Sequence, residues 1–336
     1  LVGGALAAQW SAVAVGQTAS GNKAYYRLVQ YPQAGFGGVY AQINAARHSI
    51  DMEMYELDDP AAERDLAQAA ARGVRVRVLL DRDYSGGYVN ASAYAYLRVH
   101  GVQVRWAPAG YIFHIKTTTF DARTSDISTA NLTAEYYSST RDAAVIDTNP
   151  VQVRAIERTF ANDWAGGAHG TPRTQTVQAP GLVWSPNTAA GSAETAMVAQ
   201  ITGARHVVEF ESQELSDAPV YQALAADARR GVSCRIVMTD SSEWAPAFAL
   251  LSRAGCKVHV FTDAAGVLYI HEKLVLDDPG TRRQSLLIGS QNASWESLHE
   301  NRELSLLIHG GGGGAAVIAG VRRAFASDFG NSSSWH

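Results

Sequence analysis

Short runs of apolar or alternating residues, separated by alanine-rich stretches with an amphipathic period, dominate the chain. Residues 49–55 and 207–213 read as strands, and residues 61–72 and 219–230 read as helices, each stopped by a glycine. Residues 74–80 and 232–238 follow as apolar strands. Further helices at 94–99 and 245–253 lead into further strands at 102–106 and 257–261. Strand, helix and strand alternating in this way predict an α/β layered fold.

The order is repeated because the sequence is repeated. Ala41-Gln42-Ile43 and Ala46-Arg47-His48 recur as Ala199-Gln200-Ile201 and Ala204-Arg205-His206, at an offset of 158 positions. Glu53, Glu56, Leu57 and Asp59 fall on Glu211, Glu214, Leu215 and Asp217, and Arg72-Gly73-Val74 falls on Arg230-Gly231-Val232. A repeat this long is a whole domain, unlike solenoid units of about 20 to 50 residues. The expectation is two tandem homologous α-β-α layered domains with mixed sheets, related by a pseudo-twofold axis, with a site at their junction. The first spans residues 22–170 and the second residues 188–336. Residues 171–187, the core of a glycine- and proline-bearing stretch at 166–187, connect them.

Composition narrows the classes. Of 336 residues, 46% are hydrophobic and 18% charged, which excludes disorder, collagen and coiled coil. No apolar span reaches the 18 residues of a transmembrane helix. A formal charge of −4 provides no global field for holding a polyanion. Residues 1–21 carry no charge and resemble the tail of a signal peptide, with Ala12 and Ala14 around Val13 fitting a small-x-small cleavage site. That reading places the protein outside the cytoplasm; an apolar N-terminal arm is the alternative. Two cysteines, Cys234 and Cys256, allow one bridge between two strands of the second half and no four-ligand zinc site.

Only four basic residues are lysines, Lys23, Lys116, Lys257 and Lys273, and two of them carry the strongest pattern in the chain. His114-Ile115-Lys116 is followed by Asp121, and His271-Glu272-Lys273 by Asp278 at the same interval. For this composition roughly 0.006 occurrences of His-x-Lys-x-x-x-x-Asp are expected per chain by chance. Downstream, Ser128-Thr129-Ala130-Asn131 corresponds to Gly289-Ser290-Gln291-Asn292. Asp142 and Glu303 each lie eleven residues beyond their asparagine.

This pattern resembles the phospholipase D superfamily, with its His-x-Lys-x-x-x-x-Asp and Gly-Ser-x-Asn signature. The closer likeness is to bacterial two-motif members, secreted phospholipases D and cardiolipin-synthase-like transferases. The resemblance implies cleavage of a phospholipid phosphodiester through a covalent phosphohistidine, followed by hydrolysis or transphosphatidylation. A nuclease of the same superfamily and a cardiolipin-synthase-like phosphatidyltransferase are the alternatives. A phosphodiester anion needs a nucleophile, cations for its oxygens and an acid for the leaving group. By resemblance His114 is the nucleophile and His271 the general acid/base. Lys116, Lys273, Asn131 and Asn292 hold phosphate, with Thr129 and Ser290 as further donors. Asp142 is assigned behind His114 and Glu303 behind His271, each fixing a tautomer. Asp121 and Asp278 are structural, bonding within their hairpins, and neighbouring Asp277 is solvated. Ser128 departs from the glycine preferred at its position and brings a Cβ where close backbone approach is expected. The mechanism implied calls on no cofactor and no metal. The partners expected are a phospholipid at a membrane surface and water or an alcohol acceptor. Nucleic acid is disfavoured, and the chain is expected to act as a monomer.

Other features have plainer readings. His48, His206 and His259 read as packed residues, and Lys23 and Lys257 as surface charges. Glu53 and Glu211 pair with arginine in a structural network or reach the site. The five glycines at 310–314 lack the ending of a phosphate loop and form a strand-to-helix connection. Tyr111, Phe113, Tyr269 and Trp295 are candidates to receive acyl chains, with packing of the domain junction as the alternative.

Overall fold

A computed structural model of the chain describes residues 24–83, 86–169, 175–186 and 192–336. The leader-like segment and Lys23 lie outside the described residues, as do residues 171–174 and 187 of the inter-domain connection. Two mixed sheets form, each ordered in the same way. The first runs Tyr26–Tyr31, Thr140–Asp147, Thr124–Ser128, Lys116–Phe120, Ser49–Met54, Arg75–Leu80, Gln103–Trp106. The second runs Leu182–Ser185, Glu303–His309, Ser285–Gly289, Leu274–Asp277, Val207–Glu211, Ser233–Thr239, Lys257–Phe261, with Ser333–Ser334 at its edge. In each, the strands joined by helices pair in parallel and the hairpin strands antiparallel. Leu182–Ser185, placed by the sequence reading in the connection, pairs with Glu303–His309 because its Leu182 and Trp184 bury against the second sheet.

The repeated positions outside the catalytic motifs are mostly helix ends. Asp59 caps Pro60–Ala71 by accepting from the Ala61 and Ala62 amides, and Asp217 caps Ala218–Arg229 by accepting from Val220. Gly73 and Gly231 follow those helices at φ of 88° and 92°, a left-handed turn that a side chain would strain. The outer helices of each lobe cover one face of its sheet. The inner faces share a third core, to which Ile127 and Val145 of the first sheet and Leu276 and Leu306 of the second contribute. Phe160 and Ile318 enter it from two long helices, Pro150–His169 and Gly314–Asn331. The lobes are therefore joined by a hydrophobic core, and a site at the junction has rigid walls.

Several expectations change. Asp121 and Asp278 are structural but do not bond within their hairpins. Each accepts backbone amides from the turn before its lobe's central strand, Arg47 to Ser49 for Asp121 and Arg205 to Val207 for Asp278. These bonds hold both residues at positive φ, 53° and 44°. Asp277 is buried, not solvated, and burial together with Asp278 and Asp227 pushes its carboxyl up to about 9. His48 and His206 are exposed because the turns carrying them face outward, while His259 stacks on Phe329 at 3.8 Å. Lys257 is exposed, and the glycine run joins a strand to the helix Gly314–Asn331. Cys234 and Cys256 form a disulfide, with Cα atoms 4.7 Å apart on neighbouring chain segments of the second sheet.

Gly289 and Ser128 occupy equivalent registers, opposite Ser305 and Ala144 respectively. A Cβ at Gly289 would meet the Leu304 carbonyl and the Ser305 Cα, each at 2.4 Å, so the glycine is required in the second lobe only. Gly289→Ala is expected to destabilise the fold by about 1–3 kcal/mol in urea titration, an overpacking cost. Ala at 289 with an unchanged unfolding midpoint would contradict the packing described.

Candidate active site

The first hairpin begins at Lys116 and the second at Leu274, and each motif histidine lies just before its hairpin. These approaches do not stay in their own lobes. Tyr269–Ile270 pairs in parallel with Thr140–Arg141 of the first lobe, and the His271 amide donates to the Arg141 carbonyl at 3.1 Å. On the other side, the Arg302 amide donates to the Ile112 carbonyl at 2.8 Å. Each histidine is thus laid alongside the acid-bearing strand of the opposite lobe.

That register crosses the acid partners. His114 Nδ1 meets Glu303 Oε2 at 2.9 Å, and His271 Nδ1 meets Asp142 Oδ1 at 2.8 Å. The within-lobe assignment of Asp142 to His114 and Glu303 to His271 is overturned. The carboxylates are held from behind: Thr129 donates to Asp142 at 2.6 Å, and Ser297 and Asn301 donate to Glu303. Thr129 also accepts from the Ala143 amide, and Ser290 exchanges bonds with the Leu304 backbone. Each hydroxyl has its one proton donated in these contacts, to Asp142 and to the Leu304 carbonyl, so in this structure neither has a donor left for phosphate.

Both rings and Asn131 border one cavity of about 640 Å³, and His114 also borders an adjoining cavity of about 680 Å³ lined by Asn292. Lys116 and Lys273 stand buried behind the rings. Lys116 Nζ donates to the His114 carbonyl at 2.7 Å, and Lys273 Nζ to the His271 carbonyl and to Gln213 at 3.2 Å. Asn131 donates to Glu56 at 3.1 Å, while the Oδ1 atoms of Asn131 and Asn292 are buried without a protein partner.

The positive groups disturb one another. Burial, then the charges of Lys116, Lys273 and His271, hold the His114 imidazole well below its ordinary value. Burial also lowers His271, but Asp142 opposes the fall. Lys116 is brought down to about 7 by burial and by Lys273, and Lys273 to about 8 by burial. Burial works upward on Asp142, yet His271 and Lys273 keep it below the usual carboxylate range. Glu303 is pushed up to about 7 by burial against the pull of Lys116. Such a pocket favours an anion with several oxygens, whose charge returns both lysines to the ammonium form.

Of the acyl-chain candidates, Tyr269 lines both cavities. Tyr111 and Phe113 are buried in the core between the sheets, because the His114 approach packs inward there. Trp295 is half exposed against His299 and lines neither cavity. Sequence reasoning missed Tyr55 and Gln213, which occupy equivalent positions at the 158-residue offset. The Tyr55 ring lies 4.8 Å from Lys116 Nζ, and Gln213 bonds Lys273. Their shared task was invisible because their identities differ. Glu56 and Glu214, matched in the repeat, both line the first cavity. Glu194, Asp217 and His299 could bring three ligand atoms within 4.8 Å of one another for a metal ion. All three already serve a cap or an ion pair and line neither cavity.

Comparison with known proteins agrees with this geometry. A family described as cardiolipin synthase, PLD-like domain, matches residues 39–164 and 197–329. The chain is 26% identical over 318 residues to cardiolipin synthase A of Pseudomonas putida, covering 84% of this chain and 64% of that protein. It is 32% identical over 121 residues to human mitochondrial cardiolipin hydrolase, covering 36% of this chain and 47% of that protein. The chain thus spans less than two thirds of the length of these curated relatives. Among solved structures, phosphatidylserine synthase of Haemophilus influenzae superposes with a TM-score of 0.71 at 11% identity, covering 93% of this chain and 87% of the other. Polyphosphate kinase of Porphyromonas gingivalis gives 0.64 at 17% identity, covering 91% and 50%. These two share the fold.

The lysine values give a pH test. Both are ammonium below about 7 and lose that charge as pH rises through about 7 and 8. Sulfate, a dianion throughout, is expected to bind about tenfold more weakly by calorimetry at pH 9 than at pH 6. An affinity that does not change with pH would contradict the paired-lysine site.

Proposed function

Because the chain belongs to the cardiolipin synthase, PLD-like family, an enzyme family of the phospholipase D superfamily, we propose that it cleaves a phospholipid phosphodiester and passes the phosphatidyl group to water or an alcohol. The observation that carries this reading is the pair of histidines on one cavity, each backed by a lysine and held by a carboxylate from the opposite lobe.

His114, held neutral, attacks phosphorus with Nε2 while the bond to the headgroup oxygen breaks. His271 donates its proton to that oxygen, supported as an imidazolium by ionised Asp142. In the second step His271 takes a proton from water or alcohol, the new oxygen bonds to phosphorus, and the phosphorus–nitrogen bond breaks. Lys116 and Lys273 neutralise the non-bridging oxygens, and Asn131 and Asn292 add neutral donors. The two imidazoles titrate as a coupled unit.

The cleft walls favour a lipid over a polynucleotide. Glu56, Glu214, Asp240, Glu243, Asp263 and Glu296 line the two cavities, and no lysine or arginine is among their described lining residues. A chain of phosphates entering there would meet carboxylates in place of the cations that nucleic-acid affinity requires. Phe36, Tyr136, Tyr137 and Val267 give the first cavity an apolar, aromatic side suited to the glycerol and acyl portion. Among the described residues no helix is long and apolar enough to cross a membrane; the substrate proposed here is a lipid met at a bilayer surface. Transfer to a second lipid alcohol remains within this chemistry, as the name of the Pseudomonas relative illustrates.

Purified protein incubated with phosphatidylglycerol, phosphatidylethanolamine and phosphatidylcholine plus ethanol is expected to yield phosphatidic acid and phosphatidylethanol by mass spectrometry. Cardiolipin formed from phosphatidylglycerol would identify transfer as the dominant outcome. His271→Ala is expected to slow turnover by about 10²–10⁴-fold, the usual share of a general acid. No lipid product from any of the three, alongside cleavage of single-stranded DNA, would overturn the reading.

A further inference from the structure

Each carboxylate that holds a histidine is immediately preceded by a buried arginine, Arg141 before Asp142 and Arg302 before Glu303. Both arginines reach out of their own lobe. Arg141 of the first lobe forks onto Asp328 of the helix Gly314–Asn331, with Nη2 to Oδ1 at 2.7 Å, and also donates to the Tyr31 carbonyl and to Gln33. Arg302 of the second lobe donates twice to Asp163 Oδ2 of the helix Pro150–His169, with Nε at 2.8 Å, and lies over the Trp184 ring. Glu211 and Glu272 surround the first pair and Glu53 the second, so the repeated strand glutamates belong to these clusters and not to the cavity.

The same two residues make the backbone contacts that lay each histidine approach against the opposite lobe. Arg141 accepts the His271 amide, and Arg302 donates its amide to Ile112, two residues before His114. One residue therefore grips the opposite lobe's helix with its side chain and the opposite lobe's histidine segment with its main chain. The acid follows in the next position. A buried ion pair is a weak device for stability, since apolar residues of equal volume hold a fold as well or better. Its planar fork is a strong device for direction.

We propose that Arg141 and Arg302 are positioning residues, each latching a strand end across the lobe junction so that the adjacent carboxylate meets the opposite histidine's Nδ1. The latch goes beyond the proposed reaction: it accounts for the crossed pairing whatever phosphodiester is bound, although its effect on turnover rests on that reaction. It acts on one histidine at a time. The groups facing His114 are Lys116, Lys273, His271, Glu303 and the Tyr55 ring, and those facing His271 are Asp142, Lys273, Lys116 and His114. Weakening the Arg302 latch withdraws Glu303 from His114 alone, and weakening the Arg141 latch withdraws Asp142 from His271 alone.

The test is ring nitrogen NMR of both histidines across pH in the full chain, which needs no substrate. It compares wild type with Arg302→Lys, Asp163→Asn, Arg141→Lys and Asp328→Asn. The asparagine variants keep the size of the acid and serve where a lysine variant does not fold. The first two variants are expected to lower the apparent pKa of His114 by about half a pH unit or more and to move His271, coupled to it, by clearly less; the other two do the reverse. Phosphodiester turnover should fall about 10- to 100-fold, as for other groups that act through a catalytic partner. Melting temperatures that fall while both rings titrate as in wild type would overturn the latch and leave the proposed reaction standing. Rings that shift as expected with no lipid turnover in the wild type would uphold the latch and overturn the reaction.

Discussion

Four basic groups packed around one cavity repel one another, and burial removes the water that would screen them. The lobes answer this by exchanging carboxylates: Glu303 reaches His114 and Asp142 reaches His271. Neither lobe alone holds both members of a histidine–carboxylate pair, so the chemistry exists only where the lobes meet. Both buried lysines sit well below their ordinary range, and a bound anion would favour their charged form, which is the basis of the proposed phosphate site.

Near-symmetry supplies the parts, and small departures from it divide their roles. Asp142 is kept ionised beside His271, while Glu303 beside His114 is pushed up to about 7 by burial. One imidazole is thereby held beside an ionised carboxylate and the other well below its ordinary value, the split that the proposed two-step displacement calls for. Tyr55 over Lys116 and Gln213 on Lys273 mark the same departure one layer out.

Much of this was legible before any coordinates. The 158-residue offset announced two lobes, and the terminal glycines placed helix ends to within a residue or two, while the matched Asp59 and Asp217 showed their capping role only in the structure. The histidines, lysines and asparagines were found by spacing, since residues two apart on an extended segment share a face. The acid pairing was not legible, because interval along the chain measures neighbours in one lobe while the pairing is set by backbone register between lobes. Thr129 and Ser290 misled for a related reason: a hydroxyl two residues before a motif asparagine looks like a free donor until its acceptor is seen, Asp142 for Thr129 and the Leu304 carbonyl for Ser290. For Tyr111 and Phe113 the alternative of packing the domain junction is the one the structure shows, because the His114 approach turns both into the inter-sheet core.

The crossed exchange of carboxylates is tested most directly by rapid-quench peptide mapping of the covalent intermediate in Asp142→Asn. If Asp142 serves His271, loss of its charge weakens the acid of the first step and the base of the second alike, so the phosphatidyl adduct should form and decay more slowly while still sitting on His114. An adduct on His271, or one on His114 that forms and decays at the wild-type rates, would contradict the account.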